Sequence, residues 1–302
     1  MTAIKRIAPD VGWLPVSFVN VYFLGQPGGP WVLVDAGLPG RAGQIKAAAE
    51  ARFGAGRAPE AIVLTHGHFD HAGSALKLAD EWNVPIYAHP LELAYLTGQS
   101  SYPPPDPTIG GAIAFLSRFM PSRAIDLGSR VRPLLPNEFP TLPDWQWLET
   151  PGHSPGHVSF FRPSDRTLVA GDAFATMDMD SWVGLVSGRK VLARGGAPFN
   201  CDWDASRASV QKLADLRPSA AACGHGIPMC SHELPERLAR FAGRFRAPRH
   251  GRYVREPART NESGVVDLPP APFDPVPFAT AASLMLAGVA LGAGYLDDQR
   301  RS

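Results

Sequence analysis

The chain has 302 residues, 45% of them hydrophobic and 19% charged, which is ample for a full core in one domain or two. A formal charge of +1 produces no long-range field, so no nucleic-acid partner is expected. Three cysteines, Cys201, Cys223 and Cys230, are too few and too scattered for a disulfide framework; as core thiols they fit a reducing, cytoplasmic compartment.

Residues 1–7 contain no apolar run long enough for an export signal. Residues 16–24 read as a strand, 26–30 as a turn and 31–34 as the returning strand of a hairpin. The hairpin ends in Asp35-Ala36-Gly37, whose carboxylate is either a turn former or a partner that fixes a metal-bound histidine. Residues 44–53 have helical character and stop at Gly54, and 61–64 form a short buried strand. A helix over 72–82, a strand over 84–88 and a short helix over 91–96 follow. This alternation predicts helices layered on sheet. From 98 to 143 the pattern breaks at Tyr102-Pro103-Pro104-Pro105-Asp106-Pro107, and the apolar segment 109–120 then has helical spacing. Such an insertion is either a lid over a site or a helix that covers the core. Residues 145–149, 158–161 and 167–170 read as strands. Asp204 is the expected cap of a helix reaching Leu216, followed by a strand over 220–223 and an amphipathic helix over 233–245.

The strand at 61–64 runs into Thr65-His66-Gly67-His68-Phe69-Asp70-His71. Three imidazoles and a carboxylate in six positions rarely arise by chance. Further candidates stand at other strand ends: His153 in Pro151-Gly152-His153-Ser154-Pro155-Gly156-His157, Asp172 after Gly171, and His225 between two glycines. The alternative for each of these is an ordinary turn residue.

Taken in this order over roughly residues 5–250, these segments resemble the metallo-β-lactamase superfamily. The resemblance implies an α/β fold, an αββα sandwich of two packed mixed β-sheets with outer helices and the site at one edge. It implies two divalent metal ions, one held by His66, His68 and His153, the other by Asp70, His71 and His225, with Asp172 bridging both. Imidazole with a minority of carboxylate suits zinc, while iron and manganese also occur in the superfamily. The implied reaction is attack by a metal-bridging hydroxide on an ester, thioester or lactone-like bond of a small-molecule substrate, with Asp70 also orienting the nucleophile or carrying its proton. Asp35 and His157 are expected to stand behind the ligands. His89, His232 and His250 read as ordinary surface or packing histidines.

The stretch Gly171-Asp172-Ala173-Phe174 is similar to the glyoxalase II and lactonase branches. Ala175, however, stands where those lactonases carry a catalytic tyrosine. His68 stands where di-iron reductases of the superfamily carry glutamate. An iron-dependent persulfide dioxygenase shares much of the ligand set and is the alternative enzyme; a non-catalytic metal-binding member of the fold is the alternative outside enzymes.

The sequence divides into a catalytic region at 1–250 with the insertion at 98–143, a linker or strap at 251–275, and an apolar helix at 276–298. As a helix, Phe278 to Leu296 would be about 28 Å long, close to the hydrocarbon thickness of a bilayer. It is either a membrane contact, which would place the protein at a membrane, or a helix packed on the body or on a second copy. Gly288-x-x-x-Gly292 suits close packing in both cases.

Overall fold

A computed structural model describes residues 4–136 and 138–276. Strands β1 (Lys5–Ala8), β2 (Val11–Val16), β3 (Val19–Gly25) and β4 (Trp31–Val34) form an antiparallel meander. Helix α1 (Ala42–Phe53) leads to β5 (Ala61–Val63), and α2 (Phe69–Ala72) and α3 (Ala75–Trp82) lead to β6 (Ile86–Ala88). Helices α4 (Leu93–Leu96) and α5 (Ala112–Ser117) precede β7 (Val131–Pro133). These seven strands make one sheet in sequence order, parallel from β4 onward.

The second sheet begins with β8 (Gln146–Glu149), β9 (Val158–Arg162) and β10 (Thr167–Gly171). The chain then passes through β11 (Ala175–Met177), α6 (Trp182–Ser187), β12 (Lys190–Ala193) and α7 (Trp203–Asp215) before β13 (Ala220–Cys223) and β14 (Met229–Cys230). The order is β14-β13-β10-β9-β8, with β10 and β13 parallel. Helix α8 (Leu234–Arg244) and the hairpin of β15 (Arg259–Asn261) and β16 (Gly264–Asp267) follow.

Because strand side chains alternate between faces, strands apolar on both sides must be covered twice. Val32 and Val34 of β4, with Tyr22 and Leu24 of β3, meet Phe160, Val169 and Ala222 of the second sheet. Leu33, Val21 and Phe23 instead pack under Ile45, Ala49 and Phe53 of α1 and Leu78 of α3. On the far side, Leu168, Ala170 and Ala221 are covered by Val210 and Leu213 of α7 and Leu238 of α8. The result is helix, sheet, sheet, helix: the αββα sandwich.

Parallel neighbours bring like ends together. β4 and β5 end side by side at Asp35 and Thr65, and β10 and β13 end at Asp172 and His225, with Gly224 N donating to Gly171 O at 2.8 Å. The two sheets are joined at this same edge by Val158 N to Thr65 O, 2.9 Å, and Asn20 N to Gly224 O, 2.8 Å. Four chain segments that carry histidine or carboxylate therefore leave the sheets at one place.

Several elements differ from expectation. Residues 16–24 are not one strand: β2 and β3 pair Val16 with Val19 around a two-residue turn, with Ser17 at φ 62°. The left-handed Ser17 is what a tight hairpin requires, and its polar side chain gave no turn signal among apolar neighbours. The helix expected to start at Ala72 begins at Phe69 and breaks at Gly73-Ser74, where Ser74 Oγ donates to Leu38 O at 2.6 Å. The cap of α7 is Asp202, which accepts from Ala205 N at 2.9 Å, and Asp204 lies in the first turn. Of the segment 109–120 only Ala112–Ser117 is α-helical.

The described residues up to Pro270 form one compact unit. Within this unit, the stretch after 250 is tied down by Tyr253 Oη to Pro104 O at 2.8 Å, Ala258 N to Cys201 O at 2.9 Å and Val265 N to Ser100 Oγ at 3.1 Å. The helix expected over 276–298 lies, beyond its first residue Val276, outside the described residues, as does all of Phe278 to Leu296. Among the described residues no helix is long and apolar enough to cross a membrane.

Candidate metal centre

The loop that leaves β5 turns His66 and His68 inward, and the first turn of α2 adds Asp70 and His71. His153 comes from the loop after β8, Asp172 from the end of β10 and His225 from the end of β13. All seven are buried. Three groups, His66-His68-His153, His66-His71-Asp172 and Asp70-His71-His225, each bring their donor atoms within 4.8 Å of one another. Asp172 reaches into both halves: its Oδ2 lies 3.1 Å from His225 Nε2 and 3.6 Å from His153 Nε2, and its Oδ1 lies 3.6 Å from His71 Nε2. Asp70 Oδ2 is 3.5 Å from His225 Nε2.

The backs of the rings are held. His71 Nδ1 is 2.8 Å from Asp35 Oδ2, and the same carboxylate accepts from Thr65 N at 2.8 Å and from Thr65 Oγ1. His225 Nδ1 donates to the Phe18 carbonyl at 2.8 Å, and His153 Nδ1 to Asn200 Oδ1 at 3.1 Å. With Nδ1 committed, it is Nε2 of each ring that faces the centre, where it offers a lone pair to a cation once any proton there has left. His68 is turned the other way, its Nδ1 being 3.1 Å from His153 Nε2.

His66 Nε2, His71 Nε2 and Asp172 Oδ1 are fully buried and have no hydrogen-bond partner among the described residues. Buried acceptors left unpaired are costly, and a cation between them removes that cost. Gly224 keeps the space open, because a Cβ there would lie 2.0 Å from Asp172 Oδ1. The residues present fit a metal site of imidazole and carboxylate.

Charge divides the centre. Burial and then neighbouring imidazoles push His66 and His68 well below the ordinary histidine value, and burial lowers His153 as well, so these rings are neutral. Burial also opposes protonation of His71 and His225, but it is outweighed by Asp172, Asp35 and Asp70 at His71, raised to about 10, and by Asp172 and Asp70 at His225, raised to about 9. The second half thus carries excess negative charge for which protons and cations compete.

Of the two supporting residues expected from sequence, Asp35 holds His71 and Thr65 as described. His157 does not face the centre. Its Nε2 accepts from Asp172 N at 2.9 Å while Nδ1 meets the Thr150 carbonyl at 3.0 Å, so it fixes the backbone that presents Asp172. Asn200 was not legible as a partner of His153. Nor was Glu92, a fully buried carboxylate. One of its oxygens accepts from Gly67 N at 3.0 Å and from the Tyr102 hydroxyl, and the other accepts from Ser154 Oγ at 2.7 Å and Gly156 N at 2.8 Å. Glu92 thereby clasps the loop carrying His66 and His68 to the loop carrying His153. Its signal was position: on a helical turn it shares a face with buried Tyr95 and Leu96. His89 lies apart from the centre, capping the turn at Pro90–Glu92 through Leu91 N.

A profile of the metallo-beta-lactamase superfamily matches residues 14–225. The chain belongs to that superfamily. The probable metallo-hydrolase YflN of Bacillus subtilis (strain 168) is 42% identical to it over 243 residues, covering 79% of this chain and 92% of the relative. Among solved structures, TTHA1623 in a di-iron-bound form is 27% identical with TM-score 0.51, over 76% of this chain and 98% of that one. A B3 metallo-beta-lactamase with an active-site glutamic acid, 18% identical with TM-score 0.56 over 80% of this chain and 88% of that one, shares the fold. As a metallo-hydrolase of this superfamily, the chain has its candidate centre at the edge where both sheets end. Above that centre lies a cavity of about 240 Å³.

Proposed function

We propose that this metallo-hydrolase is dinuclear and cleaves an ester, thioester or lactone-like bond of a small molecule. The observation that carries the reading is the convergence of two three-residue donor sets on either side of Asp172, opening onto one cavity. A cation held by three donors of its own and sharing only one carboxylate with its neighbour would still have room for a water by expanding its coordination, which distinguishes a catalytic from a closed structural site. His66, His68 and His153 would hold one ion and Asp70, His71 and His225 the other, with Asp172 between them. Zinc suits this donor set, and the di-iron form of TTHA1623 makes iron the alternative to test.

Cations bound there supply Lewis acidity, drawing the pKa of water from about 15.7 toward about 7 and polarising a carbonyl. The chain's own residues do the rest. Asp70 lines the cavity, where its carboxylate can orient the attacking water and accept its proton. Asp35 keeps the proton of His71 on Nδ1, and His157 keeps Asp172 in register. In the overall reaction the water oxygen joins the acyl carbon, the C–O or C–S bond breaks, and a proton leaves with the departing oxygen or sulfur.

The test is a screen of metal-loaded protein against ester, thioester, lactone, phosphodiester and persulfide substrates. Turnover of an acyl bond that disappears in His66→Ala and in Asp172→Ala is expected. Turnover confined to phosphodiester or persulfide, or undiminished in both variants, would remove the reading.

A further inference from the structure

The cavity over the centre is two-faced. The polar groups that line it are those of the centre itself: His68, Asp70, His153, Asp172 and His225. Among the described residues, every other one that lines it is apolar or glycine, with no Lys, Arg, Ser, Thr, Asn or Gln. The far wall consists of Ile113 and Leu116 of α5, Met120 after it, Met177 and Met179 at and beyond the end of β11, and Leu185 of α6. Behind that wall, Ala175 packs with Ile113 and Met179, so the wall is backed by apolar contacts.

A substrate's polar bond must therefore sit at the centre and everything attached to it must be apolar. A carboxylate, phosphate or ammonium in the distal part would lose its water and find no partner. Length follows from volume: at about 30 Å³ for a water-sized group, 240 Å³ holds about eight methylene-sized groups. The apolar surface also continues outward. Phe115 of α5, Phe119 just after it, and Trp182, Val183 and Val186 of α6 are exposed, with the Phe115 and Trp182 rings 6.0 Å apart. An exposed cluster of this kind beside an apolar cavity marks an entry for apolar molecules.

Resting on the hydrolase reading, we propose that the substrate is an uncharged acyl compound with a medium-length aliphatic chain, its carbonyl at the histidine and aspartate face and its chain against Ile113, Leu116, Met177 and Leu185. Anionic acyl compounds are excluded by the same wall.

Two measurements on the metal-loaded full chain separate this inference from the reading beneath it. In the first, calorimetric titration with N-methyl alkanamides, which present the same carbonyl and resist cleavage, follows affinity from acetamide to octanamide. The affinity is expected to rise about fourfold per methylene. An octanamide ending in a carboxylate is expected to bind about a hundredfold more weakly than its apolar counterpart. In the second, kcat/KM is measured for matched 4-nitrophenyl esters, acyl thioesters and alkyl lactones of increasing chain length. It should follow the same slope, and Leu116→Arg should flatten the ratio of octanoyl to acetyl turnover within the one variant. An affinity or kcat/KM that is flat or falling with chain length, or equal binding of the carboxylate-ended amide, overturns the apolar-acyl assignment even if hydrolysis is observed. Rising amide affinity with no hydrolysis in any series leaves the apolar site standing and removes the hydrolase reading instead.

Discussion

Glu92→Gln is the substitution that most closely probes how the centre is held together. The wild-type carboxylate accepts four hydrogen bonds, two on each oxygen, from Gly67 N, Tyr102, Ser154 and Gly156 N. An amide of the same shape has one oxygen. Whichever way it turns, the NH2 faces either Gly67 N–H or Gly156 N–H, and neither backbone donor can reverse its polarity, whereas the Ser154 and Tyr102 hydroxyls can rotate. A buried donor left without an acceptor costs about 1–3 kcal/mol, and the remaining bonds lose their charge assistance. A total of about 3 kcal/mol would lower Tm by roughly 5–10 °C in a chain of this size. Since the strain falls on the loops of His66, His68 and His153, metal affinity should fall about 10–100-fold, as it does when partners behind ligands are removed. Differential scanning calorimetry and competition with a chromogenic chelator measure the two effects. Glu92→Ala, which adds a cavity, should be worse on both. A Glu92→Gln protein with unchanged Tm and unchanged metal affinity would refute the idea that this carboxylate clasps the two loops.

Other expectations follow from the same contacts. Asp35→Asn keeps the size of the side chain but removes the charge that faces His71 Nδ1, so metal affinity should drop about 10–100-fold by chelator competition while the circular dichroism spectrum is kept. Gly224→Ala places a Cβ against Asp172 Oδ1, so turnover and metal content should both fall; parental values for both would show that the carboxylate has room to move. His157 is held by burial at about 3, below its ordinary value of 6.5. The unfolded chain therefore binds a proton that the folded chain refuses, and this residue's contribution to stability declines as pH falls from about 6.5 toward 3. His157→Gln should make the loss of urea stability between pH 7 and pH 5 shallower than in the parent, and an identical pH slope would assign the acid sensitivity elsewhere.

Much of the centre was legible because its residues are concentrated where chain direction changes. His66, His68, Asp70 and His71 sit in one loop after a short apolar strand, and Asp172 and His225 follow or adjoin glycines whose conformations few other residues adopt. Gly171 at φ 54°, with His157 Nε2 2.5 Å from where its Cβ would be, is such a position. The layering was legible because strands alternate with helices along the chain, while the pairing of two sheets into a sandwich was implied only by the resemblance. What stayed hidden depends on long-range pairing. Glu92 is a lone carboxylate in a short helix, and its partners, residues 67 and 102 on one oxygen and 154 and 156 on the other, are set by the fold and not by the local sequence. Asn200 lies in an irregular loop and is defined by His153, 47 positions earlier. The cap of α7 was displaced by two residues because Asp202 and Asp204 are equally good caps, and only the path of the loop through Gly152 and Cys201 decides between them.

The most direct measurement is metal quantitation by mass spectrometry on the full chain purified from metal-supplemented growth, beside His225→Ala and Asp172→Ala. About two transition-metal ions per chain are expected in the parent, with a clear loss in both variants. A parent chain that holds no metal, or variants that retain as much as the parent, would contradict a dinuclear centre built from these seven side chains.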